Sequence, residues 1–237
     1  MPTEPVITDL ILIRHGETDW NLARRFQGHQ DISLNAEGLR QAHGAARRLG
    51  QRPLDYGLAT LPGQSPALLF TSDLMRCRQT AEPIGQALGL APIVEPRLRE
   101  RTFGVLEGLT ADELRRDHAE SFARWQAREP DFAVERAESL RIFAARVQGV
   151  LDDLIARYAG RTLVMVTHGG VLDVVYRIGQ GMPIEAPRKV EIPNASLNRL
   201  RHDGQRLTVV HWGDVSHWQH GSADSGAAAA AATQVAP

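Results

Sequence analysis

The sequence is poor in lysine and cysteine, and it has no long apolar run. Only Lys189 among the 27 basic residues of this 237-residue chain is a lysine, so an anion site must rely on guanidinium groups, which bind phosphate in a bidentate fashion. The single cysteine, Cys77, excludes an internal disulfide and fits a reducing compartment. No stretch approaches the roughly 20 apolar residues of a membrane span, and residues 1–9 lack the basic segment of a secretory signal. We therefore expect a cytoplasmic protein.

The charges nearly cancel, with 27 basic and 28 acidic residues. This balance does not favour nucleic acid or an anionic membrane as the main partner. A hydrophobic content of 43% is typical of a globular protein with a buried core. The length fits one large domain or two small ones.

Short apolar segments alternate with amphipathic ones along the chain. Buried strands are predicted at residues 6–14, 68–71 and 163–167, and a hairpin at 197–201 and 207–211. Helices are predicted at 36–49, from Ser72 or Asp73 to 88, after the T-x-x-E pair Thr110 and Glu113, at 139–158 and at 171–178. The alternation predicts an α/β fold, a three-layer sandwich with a mainly parallel central sheet and helices on both faces.

Capping and breaking residues predict some of the boundaries. Asn35 is a candidate N-cap, Gly50 and Gly89 are candidate helix stops, and Pro83 should kink or shorten its helix. Residues 61–66 are expected to form a loop. The low-complexity tail, residues 221–237, is expected to be disordered, which leaves a domain over residues 1–220.

Polar clusters follow three predicted strands: RHG at 14–16, TSD at 71–73 and THG at 167–169. Sites in parallel sheets form at the carboxyl ends of the strands. A neutral imidazole at His15 is a good nucleophile toward phosphorus, and Arg14 could hold the oxygens of the phosphate. A single histidine at a strand end is more often structural, so this cluster alone leaves both interpretations open.

The sequence around His15 resembles a known family. Residues 12–21, LIRHGETDWN, resemble the signature of the histidine phosphatase superfamily, which includes the cofactor-dependent phosphoglycerate mutases. Similar segments follow in the family's order: FQGHQDISLNAEG (26–38), TSDLMRCRQTA (71–81), LRERTFGVLEG (98–108) and VTHGG (166–170). The resemblance covers residues 6–218, and five ordered matches argue against coincidence.

The resemblance implies a set of catalytic roles. His15 attacks phosphorus, and Arg14, Arg76 and His168 surround the transferring group and neutralise its charge. Glu100 protonates the leaving oxygen and then, as a carboxylate, deprotonates the attacking water.

The resemblance also implies a ligand and its contacts. The substrate would be a small phosphorylated metabolite, and neither a metal nor a cofactor is required because arginines neutralise the phosphate. The expected oligomeric state is a monomer or a homodimer. The residues predicted to bind the substrate are Gly16, Asn21, Gln27, Gly28 and Gly169.

Departures from the mutase pattern favour hydrolysis. Phe103 replaces a tyrosine of the mutases, Gly170 replaces an asparagine, and residues 109–111 lack their lysine. Residues 192–200, IPNASLNRL, look like the phosphatase branch. We predict a metal-independent phosphomonoesterase that forms a phosphohistidine. The alternatives are a cofactor-dependent phosphoglycerate mutase and an inactive member that binds a phosphorylated ligand or a protein.

Overall fold

A six-stranded sheet forms the centre of the computed structural model, which describes residues 6–58 and 67–221. The strands are β1 (Thr8–Arg14), β2 (Leu68–Thr71), β3 (Pro92–Val94), β4 (Thr162–Thr167), β5 (Leu197–His202) and β6 (Leu207–Asp214). Their order across the sheet is β3-β2-β4-β1-β5-β6. The four strands from β3 to β1 are parallel, whereas β5 and β6 pair antiparallel. The predicted mainly parallel sheet is therefore confirmed.

Helices cover both faces of this sheet. The described helices are α1 (Asp19–Leu22), α2 (Ala36–Gln51), α3 (Met75–Leu88), α4 (Ala111–Asp117), α5 (Ala119–Gln126), α6 (Leu140–Arg157) and α7 (Gly169–Gln180). Of these, α2 and α3 pack on one face of the sheet, and α6 and α7 on the other. Because side chains alternate along a strand, Leu10 and Leu12 of β1 pack with α6 and α7, while Ile11 and Ile13 pack with α2 and α3. The three-layer arrangement is confirmed.

A third, smaller core belongs to the α4–α5 segment. Phe26, Leu106, Leu114 and Phe122 are buried together, and Phe103 and Trp125 pack against them half-buried. The Phe26 ring makes edge contacts with Phe103 and Trp125, at centroid distances of 5.0 and 4.9 Å. The α4–α5 segment thus has its own apolar anchor.

Several predicted boundaries are confirmed. Asn35 caps α2 by accepting a hydrogen bond from the Gly38 amide at 2.8 Å. The capping box of Thr110 and Glu113 opens α4, and Gly89 ends α3 in a left-handed conformation. Asp203 starts the turn of the predicted hairpin between β5 and β6.

Other boundaries were predicted wrongly. Helix α2 runs through Gly50 to Gln51. Pro83 lies inside α3, which continues to Leu88, so Pro83 does not shorten the helix, and the alternative of a kink there stays a prediction. Helix α3 begins at Met75 because Ser72 and Asp73 have other partners, His168 and Arg99 respectively. The sequence prediction also missed three short elements: α1, β3 and α5.

Residues 61–66 and 222–237, which hold the predicted loop and nearly all of the predicted tail, lie outside the described residues. None of the described helices is both long and apolar enough to cross a membrane.

Candidate active site

His15 follows β1 at the carboxyl edge of the sheet. Its backbone amide donates to the Thr167 carbonyl at the end of β4, at 2.9 Å, and its side chain is only 3% exposed. The ring Nδ1 lies 2.7 Å from the Gly16 carbonyl oxygen. Since a carbonyl can only accept, Nδ1 carries the hydrogen and Nε2 keeps a free lone pair. The local backbone thereby leaves Nε2 as the ring atom with a free lone pair.

The environment of His15 keeps the ring uncharged. Burial, followed by the charges of Arg76 and Arg14, lowers the pKa of His15 well below 6.5. A neutral imidazole is the form that can attack phosphorus.

Arg76 of α3 is a fully buried guanidinium with only neutral partners. Its Nη1 and Nη2 donate to the carbonyls of Gln30 and Gly28 at 2.7 and 2.8 Å, and its Nε donates to His168 Nδ1 at 3.3 Å. Burial lowers the pKa of Arg76. These three hydrogen bonds hold the Arg76 side chain in place. None of its partners among the described residues is a carboxylate, so its positive charge is not neutralised by an ion pair.

Arg14 provides a second cation beside His15. Its Nη1 donates to the Ile192 carbonyl at 2.6 Å, and its buried Nε has no hydrogen-bond partner among the described residues. Burial lowers the pKa of Arg14 to about 10. Within the described part of the chain, neither Arg14 nor Arg76 forms an ion pair with a carboxylate within 4 Å. Two desolvated cations beside a nucleophile create a site that favours a bound anion.

Glu100 is held by backbone amides next to this site. Its Oε2 accepts from the Gly170 amide and its Oε1 from the Arg101 amide, both at 2.8 Å. A Cβ on Gly170 would overlap Glu100 Oε1, so only glycine leaves room for this carboxylate. The Glu100 backbone carbonyl accepts from His29 Nε2 at 2.9 Å, so the backbone of the loop that carries Glu100 is also held in place.

His168 lies behind His15 and is fully buried, with the two ring centroids 5.2 Å apart. Its Nδ1 accepts from Arg76 Nε, so Nε2 carries the hydrogen that is donated to Ser72 Oγ at 2.9 Å. Burial and the charge of Arg76 lower the pKa of His168 well below 6.5. In this arrangement His168 positions Arg76, and its predicted contact with the transferring group stays a prediction.

A pocket opens in front of His15, which we call the phosphoryl pocket. Seven of the ten predicted site residues line it: Arg14, His15, Asn21, Gln27, Gly28, Arg76 and Glu100. The remaining three, Gly16, His168 and Gly169, do not line it. The Gln27 Oε1 atom is buried without a hydrogen-bond partner among the described residues.

The predicted glycines differ in what they do. A Cβ on Gly16 would overlap the Gly38 carbonyl at the start of α2, so Gly16 permits close packing of two backbone segments. Gly28 has a positive φ of 49°, which favours glycine, and its carbonyl holds Arg76.

Three supporting residues escaped the sequence prediction. Asn194 Nδ2 donates to the His15 carbonyl at 3.0 Å, Thr80 Oγ1 accepts from the Gly16 amide at 3.0 Å, and Glu107 Oε1 accepts from the His29 amide at 3.0 Å. Asn194 lies in the IPNASLNRL segment, so that segment offered a signal. Thr80 and Glu107 lie in the family segments 71–81 and 98–108. Their partners are backbone amides distant in sequence, so these contacts could not be predicted.

Comparisons with known proteins agree with this geometry. Residues 10–215 match the model of the histidine phosphatase superfamily (branch 1). The chain is 33% identical to the metal-independent phosphoserine phosphatase of Arabidopsis thaliana, over 90% of this chain and 84% of that protein. It is 34% identical to phosphoglycerate mutase-like protein 4 of the same plant, over 88% and 86% of the two chains.

Solved structures give the same result. A mycobacterial glucosyl-3-phosphoglycerate phosphatase in complex with VO3 is 30% identical, with a TM-score of 0.72 over 86% of this chain and 98% of that one. The phosphoserine phosphatase of Entamoeba histolytica in complex with 3-phosphoglyceric acid is 25% identical, with a TM-score of 0.75 over 89% and 98%. With its family model, relatives and fold in agreement, the chain belongs to the histidine phosphatase superfamily, branch 1.

Proposed function

We propose that this protein is a phosphomonoesterase that hydrolyses a small phosphorylated metabolite through a phosphohistidine on His15 Nε2. One observation supports this above all others: a neutral, buried imidazole with a free Nε2 adjoins two guanidiniums that form no ion pair with any described carboxylate. Such a site favours a dianionic phosphate next to a nucleophile.

In the first step, the Nε2 lone pair of His15 attacks phosphorus as the ester P–O bond breaks. Arg14 and Arg76 neutralise the charge on the equatorial oxygens. The departing oxygen takes its proton from Glu100 and leaves as a neutral alcohol. The Nδ1 hydrogen bond to the Gly16 carbonyl stabilises the positive charge that the ring acquires.

In the second step, water attacks the phosphohistidine. Glu100, now a carboxylate, accepts a proton from this water as its oxygen bonds to phosphorus. The P–N bond breaks, its electron pair returns to Nε2, and orthophosphate leaves. The two backbone amides that hold Glu100 keep one carboxyl group in place for both steps.

Hydrolysis is favoured over phosphoryl transfer back to a substrate. Phe103, which lines the phosphoryl pocket, offers no hydroxyl, and Lys189 is exposed outside it. A mutase must hold its intermediate while it reorients, and fewer polar contacts let water compete. The mutase stays as the second candidate because a phosphoglycerate mutase-like protein is among the relatives.

We also propose that the enzyme acts in the cytoplasm. Its one thiol, Cys77, is fully buried on α3 and needs no partner cysteine. The expected monomer or homodimer stays a prediction.

The test is a panel of phosphorylated metabolites assayed both for phosphate release and for isomerisation. We expect phosphate release from wild type, and ³²P-labelled substrate should leave acid-labile, alkali-stable label on the quenched protein. The His15→Ala variant should lose both signals, because no other group replaces Nε2 as the nucleophile.

Two results would contradict the proposal. One is a His15→Ala protein with full activity. The other is fast phosphoglycerate isomerisation with negligible phosphate release, which would select the mutase instead.

A further inference from the structure

A second pocket adjoins the phosphoryl pocket at Glu100 but does not include His15, and we call it the side pocket. It shares Glu100 and Phe103 with the phosphoryl pocket. Its volume is about 290 Å³, against about 40 Å³ for the phosphoryl pocket. The smaller space suits a phosphoryl group, whereas the larger one can take an organic group.

One wall of the side pocket is apolar. Leu140 and Phe143 of α6 and Val174 of α7 present buried side chains to it, and Trp125 of α5 and Phe103, which precedes α4, add aromatic surface. Walls of this kind bury the carbon skeleton of a ligand. They stabilise a ring or a branched chain better than a polyol.

The opposite wall carries an excess of positive charge. Arg101 donates to the carbonyls of Glu138 and Phe132 and pairs with no carboxylate among the described residues. Arg128 and Arg188 share the single carboxylate of Asp173. The fully buried Arg177 uses that same carboxylate.

Arg188 is the side chain best placed to bind an anion there. Its Nε donates to Asp173 Oδ1 at 3.2 Å, and within the described residues that is its one hydrogen-bond partner. Its terminal amino groups are thus available, and its side chain is 23% exposed. Arg188 lines the side pocket together with Glu100, the residue that this pocket shares with the phosphoryl pocket.

The position of Glu100 determines which part of the substrate enters the side pocket. This residue protonates the leaving oxygen, so the leaving alcohol must extend from Glu100 away from phosphorus. We infer that the side pocket binds the leaving alcohol and selects monoesters whose alcohol combines an apolar, ring-sized body with a second anionic group, carboxylate or phosphate. This inference rests on the proposed phosphatase activity and names the substrate class of the same site.

The test compares benzyl phosphate with its 4-carboxy and 4-phosphono derivatives, and with phosphoglycolate. The phosphono group supplies a second anion through a C–P bond, so each benzyl compound has a single hydrolysable ester. The benzyl esters have similar leaving groups, so differences in kcat/KM report binding of the second anion. A charge-assisted hydrogen bond contributes about 1.5–3 kcal/mol, so we expect the anionic benzyl esters to be preferred by about 10-fold to 100-fold. Phosphoglycolate, which lacks the apolar body, should have a higher KM than 4-carboxybenzyl phosphate.

Variants separate Arg188 from general charge effects. The change Arg188→Gln should abolish most of the preference for the anionic benzyl esters, and Arg188→Lys should retain part of it. The control Arg206→Gln removes an exposed arginine of the β5–β6 hairpin and should keep the wild-type preference. If Arg188→Gln fails to fold, competitive inhibition of the wild-type enzyme tests whether the second anion is recognised. We expect 4-(hydroxymethyl)benzoate to compete with substrate and benzyl alcohol not to compete.

The outcomes distinguish the two levels of the proposal. Hydrolysis of all four esters without an anion preference, or a preference that Arg188→Gln leaves intact, would overturn the side-pocket assignment while the phosphatase stands. Absence of phosphate release from every ester would overturn both.

Discussion

The Glu100 carboxylate occupies the space that a side chain at position 170 would fill, and the Gly170 amide also donates to it. The missing side chain of Gly170 leaves room for Glu100 Oε1, and its amide holds Oε2. The glycine that distinguishes this chain from the mutase pattern therefore has a structural reason. An asparagine could enter only if the carboxylate moved.

The change Gly170→Ala should displace Glu100 and lower kcat by about 100-fold, because misplacing a catalytic group by about 1 Å costs that much. Steady-state phosphate release checks this, with thermal unfolding to show that the variant folds. Gly149→Ala in α6 is the matched control, since a Cβ there meets nothing within 4 Å. It should keep wild-type kcat, and equal kcat values for the two variants would contradict the prediction.

At the scale of single residues, the sequence indicated which side chains come together, but it did not indicate how they are held. His15, Arg14 and Glu100 could be singled out because each lies in a family motif, and all three line one pocket. The tautomer of His15 could not be predicted, because it depends on how the Gly16 carbonyl turns. The partners of His168 were equally hidden, since Ser72 and Arg76 reach it from another part of the chain.

At the scale of elements, Asp173 links α7 to two neighbouring segments. Its buried carboxylate accepts from Arg177 on α7, from Arg128 after α5 and from Arg188 before β5. Burial disfavours its ionisation, yet the charges of Arg188, Arg128 and Arg177 hold the pKa of Asp173 below its ordinary value. Without this carboxylate, three guanidiniums would face one another.

The change Asp173→Asn should lower the free energy of unfolding by about 3–5 kcal/mol, the usual cost of leaving buried charges unpaired. Urea denaturation measures it. Asp131→Asn is the control, because that carboxylate pairs with Arg141 on the surface, where water screens both charges. The control should keep a midpoint close to wild type, and similar losses in both variants would refute the argument.

The sequence predicted the type of an element well where its apolar period extended over many residues. It predicted the boundaries of elements less well. Helices α2 and α6 follow clear apolar stripes, so their existence was predicted correctly. The start of α3 was missed because Asp31, distant in sequence, accepts the Met75 amide at 2.6 Å in place of a local cap. The strand β3 has only three residues, all apolar but exposed, and it is too short to show a period.

At the scale of the whole molecule, the chain after β6 folds back onto the first sheet-covering helix. His217 is buried against Gly44 of α2, with neither ring nitrogen hydrogen-bonded to a described residue. Burial lowers the pKa of His217 to about 4. The far end of the described chain is thereby anchored by an uncharged imidazole.

Acid should loosen this anchor. The unfolded chain binds a proton at His217 near pH 6.5, whereas the folded chain does so only near pH 4. Stability from His217 is therefore complete above pH 6.5 and falls as the pH drops toward 4, by up to about 3 kcal/mol. The unfolding free energy of wild type and of His217→Gln, measured from pH 7 to 4, tests this.

His217→Gln should show the weaker dependence on pH. His15 and His168 have lowered pKa values in both proteins, so the difference between the two profiles isolates His217. Parallel profiles would contradict the prediction.

The fold class and the core on both faces of the sheet could be predicted from the sequence. The contact of His217 with Gly44 could not, because it joins segments that are distant in sequence.

The scarcity of lysine has a practical consequence in this fold. Lys189 is exposed and adjoins Arg188 of the side pocket. Among these 237 residues it is the only ε-amine, so an amine-reactive fluorophore has a single side-chain target. A dye attached there would sit at the mouth of the side pocket and report its occupancy as a change in emission, without any engineered cysteine.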